Sequence, residues 1–267
     1  MVRKKRGKSL RKRELILKYG LWTAMVLLAI DLFVLFFVRT IHLSVFADFI
    51  NIIIAFSVVL ISFFCYKNIS RKNSDEKKFL LLLFVALVFR FFGELSWAYF
   101  DLFVNFIPDF SVADVMWTLS NFTFLTGFTY HLGKTKMPHK KTAVVIFTSV
   151  MAIIGLLFIG SIYFISLNIE PSAKFAFLIN ESYVLFDLFI LIPLVIAIYS
   201  SRKHKSFLFY FFMALGFVAY VIYDLVFAQM FLRGTYFSGG QIESLYFFSY
   251  FLIFCAFYFR CRYLEGK

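Results

Sequence analysis

Residues 79–104 read FLLLLFVALVFRFFGELSWAYFDLFV, an apolar run whose only charged side chains are Arg90, Glu94 and Asp101. Wound as an α-helix at ~1.5 Å per residue, it covers about 39 Å, more than the ~30 Å hydrocarbon core of a bilayer. Its apolar residues are consecutive and do not alternate, which excludes a strand of a membrane barrel. An unpaired backbone group in lipid costs several kcal/mol, so a run of this kind must be helical. The same reading extends to both sides. Apolar runs recur at roughly 19–38, 46–66, 79–104, 112–132, 143–166, 177–200, 206–231 and 243–260. The expected fold is therefore all-α and polytopic, with eight transmembrane helices.

Charge orients the chain. Of its 28 Lys and Arg residues, 24 fall in residues 1–18, in alternate loops, or at the C-terminal end. Arg39, Lys174 and Arg233 fall in the remaining loops, and Arg90 lies inside a run. The positive-inside rule then places both termini in the cytoplasm. The expected organisation is a basic cytoplasmic segment at 1–18, a membrane domain at 19–260 and a short tail at 261–267. The first run is full length and lacks a small-residue cleavage site, so it reads as a retained helix.

Composition agrees with this reading. The chain has 267 residues, is 62% hydrophobic and has a mean hydropathy of +0.84. Soluble domains are roughly 45–50% apolar. The net charge of +13 follows the loops and is not gathered on one folded module, so nucleic acid is not the expected partner. The expected partners are the bilayer itself and, through the basic start, anionic headgroups. The 41 phenylalanines read as filling for lipid-facing positions. Cys65, Cys255 and Cys261 show no CxxC spacing and imply neither a disulfide framework nor a zinc site.

The chain echoes itself. Residues 89–128 and 216–257 each carry an acid in mid-helix (Glu94, Asp224) and then a loop containing Pro or Gly. Each then has an acid at the start of the next helix (Asp114, Glu243) and a Ser six residues on (Ser120, Ser249). This reads as a four-helix unit duplicated in parallel, over 19–132 and 143–260.

Ionisable side chains within a bilayer are costly and normally face the bundle interior or water. Arg90, Glu94, Trp97 and Asp101 form one stripe on the third run, with Arg90 and Glu94 spaced to pair. Asp31 and Asp224 lie mid-run with no obvious partner, and Asp187 lies in the sixth run. Asp114 and Glu243 sit where helices start, so they also read as caps. The candidate ligand-binding set is Asp31, Arg90, Glu94, Trp97, Asp101, Asp114, Asp224 and Glu243. Converging carboxylates suit a cationic ligand, a proton relay or acid–base chemistry. No His or Lys lies mid-run, which argues against a metal site, a Ser–His triad and a Schiff base. No phosphate loop is present, and no cofactor is expected.

The segments GELSWAYFD (93–101), IPDFSVADVMWTLSNF (107–122), YDLVFAQ (223–229) and GTYFSGGQIESLYFFSYFLI (234–253) resemble eight-helix integral-membrane sensor regions. Such regions precede diguanylate cyclase and histidine kinase domains in prokaryotes. Their "P-x-x-S-x-A-D" loop matches Pro108, Ser111, Ala113 and Asp114. Their "G-T-Y-x-x-G" loop matches Gly234, Thr235, Tyr236 and Gly239, with Glu243 where Asp is more usual. The resemblance implies a sensor-like, ligand-binding module of the cell membrane. Since the chain runs only to Lys267, the expectation is that it signals through a separate cytoplasmic protein. FFGELSW (91–97) and VIYDLVFAQ (221–229) also resemble the two carboxylate-bearing helices of YhhN-type lysoplasmalogenases. That resemblance implies Glu94 and Asp224 as a catalytic acid–base pair. The fourth run departs from it, with Asn121, Phe122 and Thr123 where a His and a Tyr are expected. An unliganded structural subunit is the third reading.

The topology predicts that reporters fused at Lys136 and Lys203 face the cytoplasm and that one at Gly239 faces outward. A reversed reporter at any of the three would break the eight-span reading.

Overall fold

The computed structural model describes residues 21–23, 25–26, 28–30, 33, 43–69, 74–104, 110–135, 140–167, 174–237 and 240–265. Asp31, most of the 19–38 run, the basic segment 1–18 and the loop positions Pro108, Lys136 and Gly239 lie outside them. Seven long helices follow in order among the described residues: α1 (Leu43–Asn68), α2 (Ser74–Tyr99), α3 (Val112–Lys134), α4 (Lys140–Ser166), α5 (Lys174–Ser201), α6 (Phe207–Leu232) and α7 (Glu243–Glu265). The described residues between 21 and 33 are also helical. No described residue is in a strand.

Five of these helices are long and apolar enough to cross a bilayer: Ser44–Asn68, Ser74–Val104, Phe177–Ser201, Phe207–Phe231 and Glu243–Arg262. Helix α3 falls outside that class because it carries Asp114, Ser120, Asn121, Thr118, Thr123, Thr126 and Thr129 along its length. In α4 the apolar stretch found is the shorter Thr148–Gly160. The protein is thus an all-helical, membrane-embedded chain.

The helices pack as a closed ring. Helix α1 packs on α2, α2 on α3, α3 on α5, α5 on α6, α6 on α7, and α7 returns to α1. Helix α4 leans on α5 from outside and exposes Leu156, Leu157 and Ile159. Aromatic rings fill the interior: Phe79 and Phe257 each meet Phe209 edge-on, and Phe124 meets Phe217. Phenylalanine therefore serves two environments. Phe79, Phe124, Phe209, Phe217 and Phe257 are buried, whereas Phe49, Phe103 and Phe122 face outward. The expectation of a purely lipid-facing role is corrected, because a ring this wide needs large rigid side chains to fill it at close-packed density.

At the basic end, Arg260 at the end of α7 pairs with Glu76 in the first turn of α2. His131 stacks on Phe79 and shares a 2.5 Å hydrogen bond with the Tyr210 hydroxyl. Cys65 of α1 and Cys261 of α7 are joined by a disulfide, with Cα atoms 5.2 Å apart. This corrects the expectation from cysteine spacing. The two residues lie 196 positions apart, and only closure of the ring brings the ends of α1 and α7 together.

Where α6 meets α7, a Cβ at Gly216 would lie 2.8 Å from Ile253 and 3.2 Å from the Ser249 carbonyl. Gly216→Ala is expected to cost about 1–3 kcal/mol of overpacking and to lower the thermal unfolding midpoint in detergent. At Gly155, in the outer helix α4, a Cβ would have nothing within 4 Å, so Gly155→Ala should hold or raise the midpoint. Equal midpoints for the two variants would contradict the α6–α7 contact.

Candidate functional site

The end of the ring away from the basic loops is polar inside. Asn51 of α1, Trp117 of α3, Tyr183 of α5 and Glu243 of α7 come from the early turns of their helices. Arg90, Glu94 and Trp97 of α2, with Tyr223, Asp224 and Phe227 of α6, come from the later turns of theirs. Together with Asn121 and Tyr246 these residues line one cavity. Its volume is about 40 Å³, counted as space open to the centre of a water molecule. That is room for about three waters at ~10–15 Å³ each.

Glu94 is the hub of the wall and is 4% exposed. Its Oε1 accepts from Trp117 Nε1 at 3.0 Å, from the Tyr246 hydroxyl at 2.5 Å and from the Tyr250 hydroxyl at 2.7 Å. One carboxylate therefore ties α2 to α3 and α7. The Trp117 contact depends on Gly93, because a Cβ there would collide with the indole at Trp117 Nε1. Arg90, also 4% exposed, donates from Nη1 to Asn121 Oδ1 at 2.6 Å. Its guanidinium lies over the Tyr220 ring, 4.0 Å from the centroid. Arg90 and Glu94 share a helix face as their spacing requires, but they form no direct ion pair. Each is instead held by neighbouring helices, which sequence spacing cannot register.

Behind the cavity, Asp187 of α5 and Asp224 of α6 present their carboxyl groups to each other. Asp187 is fully buried, and neither of its oxygens finds another hydrogen-bond partner. Glu243 Oε1 accepts from the Tyr236 hydroxyl at 2.7 Å and from the Tyr223 hydroxyl at 3.3 Å, and Asn51 lines the same cavity.

The candidate residues thus separate. Arg90, Glu94, Trp97, Asp224 and Glu243 line one cavity. Asp114 does not line it. Its Oδ2 accepts from the Ser111 amide at 2.6 Å and the Ser111 hydroxyl at 2.7 Å, closing the first turn of α3. Its Oδ1 accepts from the Tyr183 hydroxyl of α5. Asp101 leaves the stripe because α2 passes into a π-helical turn at Phe100–Val104. The wider i→i+5 winding rotates later side chains off the face set by the α-helix. Asp101 meets Asp48 of α1 instead. Asp31 lies outside the described residues.

Sequence reasoning missed Asn51, Trp117, Asn121, Tyr183, Tyr223, Phe227 and Tyr246. Asn51 and Asn121 left a signal, as polar side chains inside apolar runs. The aromatic residues left none, because the chain is 22% aromatic and nothing in the pattern separates wall from filling. Among the described residues, no group of three His, Cys, Asp or Glu side chains is placed to hold a metal ion.

No family model, curated protein or solved structure matches this chain.

The wall sets one guanidinium against the carboxyl groups of Glu94, Asp224 and Glu243, with Asp187 behind. Removing one partner of a buried charge cluster typically costs about 3–5 kcal/mol. Arg90→Met should lower stability by that order in detergent denaturation, while Arg90→Lys, which keeps the charge but not the planar fork, should fall between. Wild-type stability in Arg90→Met would mean that the carboxyl groups need no cation.

Proposed function

We propose that this chain is a sensor-like, ligand-binding module of the cell membrane. In this reading it has eight transmembrane helices, with residues 1–18 and 261–267 on the cytoplasmic side. A ligand enters from the opposite side, and the signal passes to a separate protein at the basic face. The observation that carries the reading is the cavity that gathers Arg90, Glu94, Trp97, Asp224 and Glu243 from three helices at the non-basic end. Buried charge of this density in a membrane is expensive to keep for packing alone. The sequence resemblance to sensor regions points the same way.

The proposed parallel duplication has support in the packing. Aligning Glu94 with Asp224 makes α1 equivalent to α5, α2 to α6 and α3 to α7. Under that exchange, the ring contacts α1–α2, α2–α3 and α3–α5 become α5–α6, α6–α7 and α7–α1, all of which occur. Residues on a two-fold axis meet their own equivalents. Arg90 and Tyr220, each four positions before the aligned acid, are in cation–π contact. Trp97 and Phe227, each three positions after it, have centroids 6.3 Å apart.

A lipid hydrolase is the second reading, favoured by one fact: Glu94 and Asp224, the two carboxylates it needs, line the same cavity.

Native mass spectrometry of the purified protein in mild detergent tests both readings, with wild type beside the Glu94→Gln/Asp224→Asn double variant. The expected result is a small molecule retained by wild type and lost in the variant. Turnover of a membrane lipid that depends on both residues would favour the hydrolase. A protein that retains nothing and turns over nothing would leave the acids a structural role.

A further inference from the structure

The cavity wall carries more than acids. Tyr183 touches Trp117, Trp117 touches Trp97, Trp97 touches Phe227, Phe227 touches Tyr223, and Tyr223 touches Tyr246. Successive centroids lie between 4.6 and 6.3 Å apart, so the rings make a continuous run along the cavity wall. Glu94, Asp224 and Glu243 line the same cavity. Aromatic faces carry negative quadrupole density and attract cations within about 6 Å. At the cavity's floor the protein already does this with its own cation, since the Arg90 guanidinium sits 4.0 Å from the Tyr220 centroid.

Charge counting points the same way. Among the described residues, Arg90 is the one cation in the wall. Against it stand three carboxyl groups and a fourth, Asp187, whose oxygens find no donor outside the Asp224 carboxyl. Carboxyl groups crowded in a low-dielectric site cannot all ionise without further positive charge. Protons can relieve that crowding in the empty cavity and an ammonium ion can take their place, whereas an anionic ligand would find only Arg90 to pair with. A metal ion would lack a ligand set, since no group of three His, Cys, Asp or Glu side chains is placed to hold one among the described residues. The space available, about three waters or ~90 Å³ of liquid, suits the head of an amine.

We propose that the cavity binds a small organic ammonium ion, its positive head at Glu94 and Asp224 and its carbon substituents against Trp97, Trp117 and Phe227. This assignment rests on the ligand-binding reading above and names its ligand class.

Titration of the purified full-length chain in detergent tests it, reading tryptophan fluorescence and thermal midpoint together, since Trp97 and Trp117 stand in the wall. The probes are choline and n-butylammonium, with 3,3-dimethyl-1-butanol as the uncharged analogue of choline and sodium chloride to match ionic strength. At least one ammonium probe should give a saturable change, and the uncharged analogue should give none. Asp224→Asn should abolish that change. Trp97→Leu should weaken it roughly five- to tenfold, and Trp97→Phe, which keeps an aromatic face, should weaken it less. Variants are compared only where circular dichroism and elution volume match wild type. If Asp224→Asn does not fold, the Trp97 pair alone decides. Equal response to the uncharged analogue overturns the assignment, as does binding that requires a carboxylate on the probe. If neither ammonium probe binds while native mass spectrometry shows a retained neutral or anionic molecule, the ammonium assignment falls and the ligand-binding reading stands. If nothing is bound in either experiment, both fall.

Discussion

Everything at the non-basic end of this protein is arranged around Glu94 and Arg90, two charged side chains of one helix held inside a lipid-embedded ring. A lone buried charge in such a setting is expensive, and neither residue satisfies the other directly. Glu94 draws donors from α3 and α7, and Arg90 draws an amide acceptor from α3 and an aromatic face from α6. The need to solvate these two groups therefore fixes four helices relative to one another. Outlying ties extend the arrangement: Asp114 accepts from Tyr183 to join α3 to α5, and Glu243 accepts from Tyr223 to join α7 to α6.

The two ends of the ring differ in kind. At the basic end the ties are an ion pair between Glu76 and Arg260, a His131–Tyr210 hydrogen bond and the Cys65–Cys261 link. There the buried Arg260 has a carboxylate partner of its own, Glu76. At the other end carboxyl groups outnumber cations and surround open space. Between the two lies an apolar core rich in phenylalanine. Open space is not confined to one end, because Glu76, His131, Tyr210 and Arg260 line a second cavity at the basic end. In the ligand-binding reading proposed above, a molecule in the Glu94 cavity acts on the same side chains that hold α2, α3, α6 and α7 together.

The acids illustrate how a residue's role depends on what its neighbours supply. Asp114 and Glu243 occupy similar places in the sequence echo, each opening a helix. Asp114 is consumed by Ser111 and Tyr183 and faces away from the cavity. Glu243 takes tyrosine hydroxyls and still lines it. Asp101 shares the stripe of Arg90 and Glu94 by spacing, and one π-helical turn moves it to Asp48.

The sequence by itself determined that the chain is helical and embedded in lipid, because a long uncharged run leaves the backbone no other way to satisfy its hydrogen bonds. It also picked out Arg90, Glu94, Asp224 and Glu243, because charge inside an apolar run stands out at any level of description. Only the tertiary structure decided which of these meet. It closed the ring of six helices, turned Asp101 away, joined Cys65 to Cys261 and drew Trp97, Trp117, Tyr223 and Phe227 into one cavity wall. Those facts were not legible beforehand for a physical reason. In lipid an aromatic side chain is equally at home facing the bilayer or the interior, so composition and periodicity do not mark which rings turn inward, and packing between distant helices settles it.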